Sequence, residues 1–397
     1  MKYKIIKEKI AQAIEILKEK NIDLWLTFVR ESSNIKDPAM DLIVGTSCTW
    51  HSAFIITKNG DTIAILGSLD VANLESFKLY NQVIGYVKSI KDNLLQTLNK
   101  YKPEKIAINY SRNSYMADGL TYGMYLELLD MLKTTDFPSK FISSEEIISA
   151  LRGRKTQTEI SLMQEAIKRT LNIFNKTTEF IKPGKTEKEI ADFIKSLVKQ
   201  ENLDLAWDEQ HCPAVFTGPN TAGAHAGPTE RKVEKGHLIN IDFGVSYEGY
   251  CSDLQRTWYV LKDGEDYPPE EVLKGFNTIK EAIKLSAKEL KPGKLGYEID
   301  QIARQYIVNN GYAEYPHALG HQIGKAAHDG GGLLAPKWDR YGNLPFIPIE
   351  KNQVYTIEPR LTVENYGIAT IEEEVLVADN GCKFLSEPQE ELILIKE

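Results

Sequence analysis

The histidines of this chain are unevenly distributed. Three of the seven fall within a stretch of twelve residues: His317, His321 and His328. Glycines interrupt this stretch, which a packed core does not favour, so a functional site is a better interpretation than three structural histidines. Imidazole acts as a metal ligand and as a general acid or base, and either role suits such a cluster.

Two glutamates stand inside apolar runs farther along the chain. Glu358 ends one strand-like run and Glu372 lies in another, and the two runs are predicted to pair around a turn at residues 365–367. A carboxylate among apolar residues loses hydration and needs a partner. The alternative is a solvent-facing edge strand, which suits the neighbouring Glu373 or Glu374 better than Glu358.

Two aspartates flank a predicted hairpin upstream. If its turn is centred on residues 247–248, Asp242 and Asp253 face each other directly. Carboxylates about 5 Å apart repel each other unless a cation lies between them. The alternative is that Asp253 pairs with Arg256 while Asp242 closes a turn, and for the two aspartates alone both interpretations stay open.

Together these segments offer four carboxylates and one imidazole: Asp242, Asp253, His321, Glu358 and Glu372. Such a set suits hard or borderline divalent ions and differs from a structural zinc site, which favours cysteine and histidine. Two ions about 3.5 to 4 Å apart with shared carboxylates activate water and stabilise an oxyanion during hydrolysis. The set therefore predicts metal-assisted hydrolysis.

The elements that must position these residues fall into two predicted domains. Residues 1–148 alternate short strands with helices and carry a hairpin signal at 58–61, which indicates a small α/β domain with a scaffold role. In residues 149–397, the segment 182–190 is echoed at 291–299, each with a Pro-Gly turn between amphipathic helices. The echo predicts a duplicated α+β half with a site between its copies.

The composition is that of an ordinary globular protein, with 397 residues, 42% hydrophobic and 26% charged. A net charge of −8 argues against nucleic acid as a partner. We expect no membrane association, because the sequence shows neither a secretory signal nor an apolar run long enough to span a bilayer. Four scattered cysteines without CxxC spacing fit free thiols and a cytoplasmic location.

Six motifs follow one another in order at residues 218–225, 241–244, 249–257, 317–324, 356–359 and 367–377. In these motifs the chain resembles the pita-bread metallopeptidase family, which contains aminopeptidase P, prolidase and methionine aminopeptidase. Residues 1–148 resemble the additional domain of the aminopeptidase P and prolidase branch. The resemblance implies an α+β fold class, in which a pita-bread catalytic domain of duplicated α+β halves follows a smaller N-terminal α/β creatinase/prolidase-like domain.

The resemblance also implies a dinuclear metal centre. Asp242 would bind one ion and His321 the other. Asp253 and Glu372 would bridge the two ions. Glu358 would bind the second ion and shuttle a proton from the attacking water to the leaving nitrogen.

Three histidines receive roles near the substrate from the same resemblance. His225 and His328 would flank the scissile carbonyl, and His317 would line the pocket for the residue after the scissile bond. The implied activity is hydrolysis of the peptide bond before proline, as an Xaa-Pro aminopeptidase or Xaa-Pro dipeptidase. We expect Mn(II) as the metal, with Co(II) or Zn(II) as alternatives, a peptide or dipeptide as substrate, and a homodimer.

The sequence departs from the family pattern around the substrate. Thr370 stands where members usually carry an arginine, and Gln322 stands where they usually carry a glycine. Glycines at 330–332 replace a usual His-Glu and proline pattern after the last histidine. Arg360 is a candidate to supply the missing charge; alternatively, it points to solvent and pairs with Glu364.

Two other functions stay open beside Xaa-Pro hydrolysis. The first alternative is hydrolysis of a different carbon–nitrogen bond, in a small amino-acid derivative, by an enzyme of the same fold. A non-catalytic binding module is the second alternative, although such a module would have no reason to retain five metal ligands.

Overall fold

The computed structural model of the chain describes residues 1–219, 221 and 227–396. The chain forms two compact units, Met1–Arg152 and Gly153–Glu397. The division that the sequence predicts after residue 148 falls inside the helix Glu145–Gly153. The assignment of the first unit as a creatinase/prolidase-like domain stays a prediction.

The first unit alternates helices and strands. In chain order its elements are α1 (Lys2–Glu19), β1 (Leu24–Val29), α2 (Met40–Ile43), β2 (Ser52–Thr57), β3 (Thr62–Gly67), α3 (Val71–Ser76), β4 (Gln82–Tyr86), α4 (Lys91–Tyr101), β5 (Ile106–Ile108), α5 (Tyr122–Leu132), β6 (Phe141–Ser143) and α6 (Glu145–Gly153). Short 3-10 helices lie at Tyr115–Ala117 and Phe137–Lys140.

A six-stranded mixed sheet organises this unit, in the order β4-β3-β2-β1-β5-β6. The predicted hairpin at residues 58–61 joins the antiparallel strands β2 and β3. Because side chains alternate between the faces of a strand, Leu24 and Trp25 on β1 enter two different hydrophobic cores, one on each side of the sheet. The expected α/β organisation of residues 1–148 is therefore confirmed.

The second unit has more elements. In chain order they are α7 (Gln157–Phe180), α8 (Glu187–Gln200), β7 (Asp204–Leu205), β8 (Ala214–Thr217), β9 (Leu238–Phe243), β10 (Val245–Tyr247), β11 (Tyr250–Cys251), β12 (Leu254–Val260), α9 (Glu270–Glu289), α10 (Gly296–Asn309), β13 (Val354–Ile357), β14 (Arg360–Val363), β15 (Gly367–Thr370), β16 (Glu373–Ala378), β17 (Gly381–Phe384) and β18 (Ile393–Ile395). Short 3-10 helices lie at Asp339–Tyr341 and Leu344–Phe346.

The two echoed segments occupy the same place in two halves of this unit. Each follows a long helix, α7 or α9, and each turn contains a glycine with positive φ, Gly184 at 92° and Gly293 at 87°. The amide of Gly184 donates to the carbonyl of Val233, and that of Gly293 donates to the carbonyl of Ile349. In both halves a central strand, β9 or β13, begins five residues after the acceptor. The two halves thus repeat the same turn hydrogen bond and the same spacing to the central strand, as the predicted duplication requires.

Each half is organised around a sheet, and the sheet of the first half also includes the C-terminal strand β18. In the first half the order is β18-β12-β9-β8, and in the second it is β13-β16-β17. The predicted pairing of the runs around Glu358 and Glu372 is the pairing of β13 with β16. The turn near residues 365–367 joins a further strand pair, β14 and β15, which the sequence did not predict. No helix among the described residues is both long enough and apolar enough to cross a membrane.

Candidate metal centre

The first pair of candidate ligands comes from the hairpin of the first half, but in a different register from the predicted one. Asp242 on β9 faces Gln255 on β12, and it does not face Asp253 directly. The turn is centred on Glu248 and Gly249, whose φ angles are 50° and 77°. A two-residue hairpin turn favours positive φ at both central positions, so the turn forms one residue later than predicted.

The error moves the register by two residues and therefore leaves the side chains on the predicted face. Asp253 lies just before β12, and its carboxyl group is still close enough to hydrogen-bond with that of Asp242. The peptide amide of Asp253 donates to Glu374 at 2.9 Å. The local backbone thus holds the two aspartates side by side, although they are not a facing pair.

The second half supplies the other three candidate ligands, two of them at places equivalent to those of the first half. Glu358 directly follows β13, and Glu372 directly precedes β16, just as Asp253 directly precedes β12. Asp242 and Glu358 also lie at the same distance from the residue that accepts the turn hydrogen bond, nine positions after Val233 and nine positions after Ile349 respectively. His321, in the loop after α10, is the one candidate ligand without such a counterpart.

These side chains converge on one position. Ligand atoms of Asp253, His321 and Glu372 all lie within 4.8 Å of one another, and the three residues are buried. The Nε2 atom of His321 is 3.7 Å from Asp253 Oδ2 and 4.0 Å from Glu372 Oε1. It is 3.4 Å from Oε1 of Glu358. The structure therefore brings together the residues that the sequence selects as ligands.

The carboxyl groups at this position destabilise one another's charged forms. Burial and the charge of Glu358 together raise the pKa of Asp242 to about 7. Burial also raises the pKa of Asp253 and of Glu372 well above their ordinary values, with Glu372 and Glu358 as the leading charged neighbours respectively. Four carboxylates in one buried space need positive charge to be ionised together.

Unpartnered oxygen atoms at the site give a second indication. Among the described residues, buried carboxylate oxygens without a hydrogen-bond partner include Oδ1 of Asp242, Oε1 of Glu372 and Oε2 of Glu374. A buried acceptor without a donor is unfavourable, and a divalent cation would satisfy such oxygens directly. The donor set and its unsatisfied atoms therefore fit divalent cations.

Glu373 and Glu374, for which a solvent-facing strand was the alternative, are fully buried, so that alternative is wrong. Glu373 forms an ion pair with Arg256, which therefore does not pair with Asp253. Burial, partly offset by the hydrogen bond from the amide of Asp253, raises the pKa of Glu374 to about 8. Neither burial could be inferred from local pattern, because residues about a dozen positions later, including Ser386, cover this strand.

Two of the three predicted substrate histidines, His317 and His328, belong to the described residues and lie beside the candidate ligands. The ring of His328 meets that of His321 edge to face, with centroids 4.2 Å apart. Burial alone would raise the pKa of Glu358, but a hydrogen bond from His321 and the nearby His317 and His328 bring it below its ordinary value. His225 lies outside the described residues.

Two buried ion pairs that the sequence did not reveal hold the histidine loop. Arg304 on α10 forms a bidentate pair with Asp300 and donates to the carbonyl oxygen of His317 at 2.8 Å. Lys155 pairs with Asp329, next to the last histidine, at 3.2 Å. Removing one member of a buried pair leaves the charge of the other uncompensated, which is strongly destabilising. The two pairs therefore hold the histidine loop in place.

The sequence model of metallopeptidase family M24 matches residues 161–379. The chain belongs to metallopeptidase family M24. An uncharacterized peptidase of Staphylococcus haemolyticus is 30% identical to this M24 protein over 337 residues, which are 84% of this chain and 87% of the relative.

Solved structures agree with the M24 assignment. The crystal structure of an X-Pro aminopeptidase from Thermotoga maritima is similar with a TM-score of 0.71 and 26% identity, covering 97% of this chain and 99% of that chain. A prolidase from Pyrococcus horikoshii gives a TM-score of 0.69 and 26% identity, covering 97% and 100%. The predicted aminopeptidase P and prolidase branch and the predicted fold class are therefore confirmed. This M24 protein is a metallohydrolase of a dinuclear, metal-dependent family.

Proposed function

We propose that this M24 protein hydrolyses the peptide bond before proline, in a peptide or dipeptide, with two divalent ions of which Mn(II) is the first candidate. The observation that carries the proposal is the convergence of Asp253, His321 and Glu372 within 4.8 Å, with Asp242 and Glu358 beside them. The similar structures named above are an X-Pro aminopeptidase and a prolidase, which supports the choice of bond.

Each ligand has a role in this proposal. Asp242 holds one ion, while His321 and Glu358 hold the other. Asp253 and Glu372 contribute to both. When bound, two divalent ions supply Lewis acidity that lowers the pKa of water and polarises a carbonyl. Glu358 accepts the proton of the attacking water and delivers it to the leaving nitrogen.

The histidines act on the substrate in this proposal. His225 and His328 donate hydrogen bonds to the scissile carbonyl as negative charge develops on its oxygen. His317, whose ring lies 5.1 Å from that of Tyr315, lines the pocket for the residue after the scissile bond. The homodimer and the cytoplasmic location stay predictions.

Metal removal is expected to abolish hydrolysis. Protein treated with chelator should be inactive and should recover with Mn(II) or Co(II), because an oxygen-rich set with one imidazole accepts such ions. Rates on Gly-Pro, Xaa-Pro-Xaa and Xaa-Ala substrates, measured together with metal content, test this expectation and the bond preference at once. Full activity of the metal-free protein would falsify the dinuclear proposal.

The same panel distinguishes a second candidate, hydrolysis of a carbon–nitrogen bond in a small amino-acid derivative. Thr370 at the usual position of an arginine is the observation that favours it. If every proline substrate is inert in the metal-loaded protein while a small derivative is cleaved, the second candidate replaces the first.

The position of Arg360 bears on this specificity. It pairs directly with Thr370 across strands β14 and β15, so both side chains project from the same face. Arg360 is half-buried, and burial lowers its pKa. Its side chain makes no ion pair or hydrogen bond with any described residue, so the alternative pairing with Glu364 is not formed. A guanidinium in this setting is available to a substrate carboxylate or carbonyl.

Arg360→Ala is accordingly expected to lower kcat/KM for proline substrates roughly 10- to 100-fold, the loss of one hydrogen bond to a charged group. Metal content should be unchanged. The matched control is Arg112→Ala, which removes an exposed arginine of the first unit. Wild-type kinetics of Arg360→Ala on every proline substrate would show that Arg360 has no part in substrate recognition.

A further inference from the structure

One residue contacts three of the five proposed ligands. Gln255 is paired through its backbone with Asp242 on β9, and on its other side its carbonyl accepts the amide of Glu372 at 3.2 Å. Its side chain is only 7% exposed. Gln255 therefore lies where the strands of the two halves meet.

The side-chain amide of Gln255 reaches both glutamates. Its Nε2 atom donates to Oε2 of Glu358 at 3.1 Å and to Oε2 of Glu372 at 3.2 Å. The other oxygen of each carboxylate, Oε1, lies on the side of His321, at 3.4 Å and 4.0 Å from Nε2 of that ring. The amide thus occupies one oxygen of each glutamate and leaves the other facing the proposed metal position.

Thr370 determines which way this amide points. Its hydroxyl donates to Oε1 of Gln255 at 3.2 Å. Thr370 is itself fixed, because its amide and carbonyl both bond to the hydroxyl of Thr257. The opposite orientation of the amide would place a carbonyl oxygen against two carboxylates, which is repulsive.

The neutrality of this donor is important for a metal site. A hydrogen bond to a carboxylate favours its anionic form, which is the form that binds metal. An ammonium or guanidinium in the same place would do so as well, but its positive charge would oppose the bound cations. An amide orients the two carboxylates without that repulsion.

We infer that Gln255, oriented by Thr370, is a positioning residue that sets the geometry of Glu358 and Glu372 for metal binding. This inference rests on the proposed metal centre. Partners of metal ligands of this kind contribute about 10- to 100-fold to metal affinity or activity.

The test is Mn(II) affinity, measured by titration calorimetry on the chelator-treated full chain. Gln255→Met keeps the length of the side chain but removes its donors, and it should raise the dissociation constant for Mn(II) about 10- to 100-fold. The metal-induced rise in Tm should shrink in parallel, since that rise reports binding to the folded state. Gln301→Met, the same change at an exposed position of α10, should match the wild type.

Thr370 gives an independent arm of the test. Thr370→Val should weaken Mn(II) binding in the same direction, while Thr370→Ser, which keeps the hydroxyl, should restore it. Because Thr370 acts through Gln255, the double variant Gln255→Met/Thr370→Val should bind Mn(II) no more weakly than Gln255→Met alone.

Wild-type Mn(II) affinity in both Gln255→Met and Thr370→Val, or fully additive losses in the double variant, would overturn the inference. A lower Tm in Gln255→Met with an unchanged metal-induced rise would also overturn it, because that pattern describes a structural role only. Failure of the wild type itself to bind Mn(II) is a different result, and it would contradict the proposed metal centre instead.

Discussion

Asp253→Ala is expected to lose all measurable hydrolysis and at least one equivalent of bound metal. Asp253 is 6% exposed, lies 3.7 Å from His321, and is the proposed ligand shared by both ions. A variant without it has no substitute oxygen in the same place. Metal analysis of the purified variant and rates on the proline substrates measure the two losses.

Thermal unfolding of Asp253→Ala provides a separate readout. Ligand bound only to the folded state stabilises it, by about 2.7 kcal/mol at a hundred times the dissociation constant, and the variant should lack this gain. In metal-free protein the variant should not be less stable than the wild type, because loss of the Asp253 carboxylate relieves its repulsion with Glu372 and Asp242. Asp263→Ala, at an exposed aspartate, is the control. Unchanged metal stoichiometry would exclude Asp253 as a shared ligand.

Glu358→Gln is expected to give the second large effect, a fall in kcat of about 10²- to 10⁴-fold at saturating metal. Glutamine keeps the shape and the hydrogen bond to Gln255 but cannot take up the proton of the attacking water. Because the proposed role is in the transition state, kcat and kcat/KM should fall together. Steady-state kinetics across a range of Mn(II) concentrations separate this loss from weakened metal binding.

The matched control for Glu358 is Glu364→Gln, the same chemical change at an exposed residue between β14 and β15. It should behave as the wild type. If Glu358→Gln with both ions bound turns over at the wild-type rate, Glu358 is not the proton carrier and another group must serve.

Much of the fold, and the convergence of the candidate ligands, was predictable because both depend on local pattern. Apolar, β-rich runs marked the strand that carries Asp242 and the strand that Glu358 directly follows, and the repeated Pro-Gly turns marked the two halves. The ligand types alone identified divalent-ion chemistry, since four carboxylates and one imidazole have few other uses in a buried place.

The features that the sequence analysis predicted wrongly or missed have a common physical origin. They depend on backbone angles or on contacts between residues far apart in the chain. The hairpin register followed from positive φ at Glu248 and Gly249, and side-chain alternation does not report φ. The burial of Glu373 depends on a segment that returns to cover it, where the amide of Gln389 donates to its carboxylate. The contact of Gln255 with Glu372 spans 117 residues and exists only after both halves fold.

The division of the proposed ligands between the two halves also affects the order in which the protein folds and binds metal. The first half carries Asp242 and Asp253, whereas His321, Glu358 and Glu372 belong to the second, which leaves the ribosome later. The first half therefore emerges from synthesis with two of the proposed ligands and no complete site. Bringing the later ligands to them closes a long chain loop, which is entropically unfavourable until the native contacts between the halves form. In the proposed metal centre, tight metal binding is consequently a late event, and its onset during refolding would report the docking of the halves rather than the folding of either one.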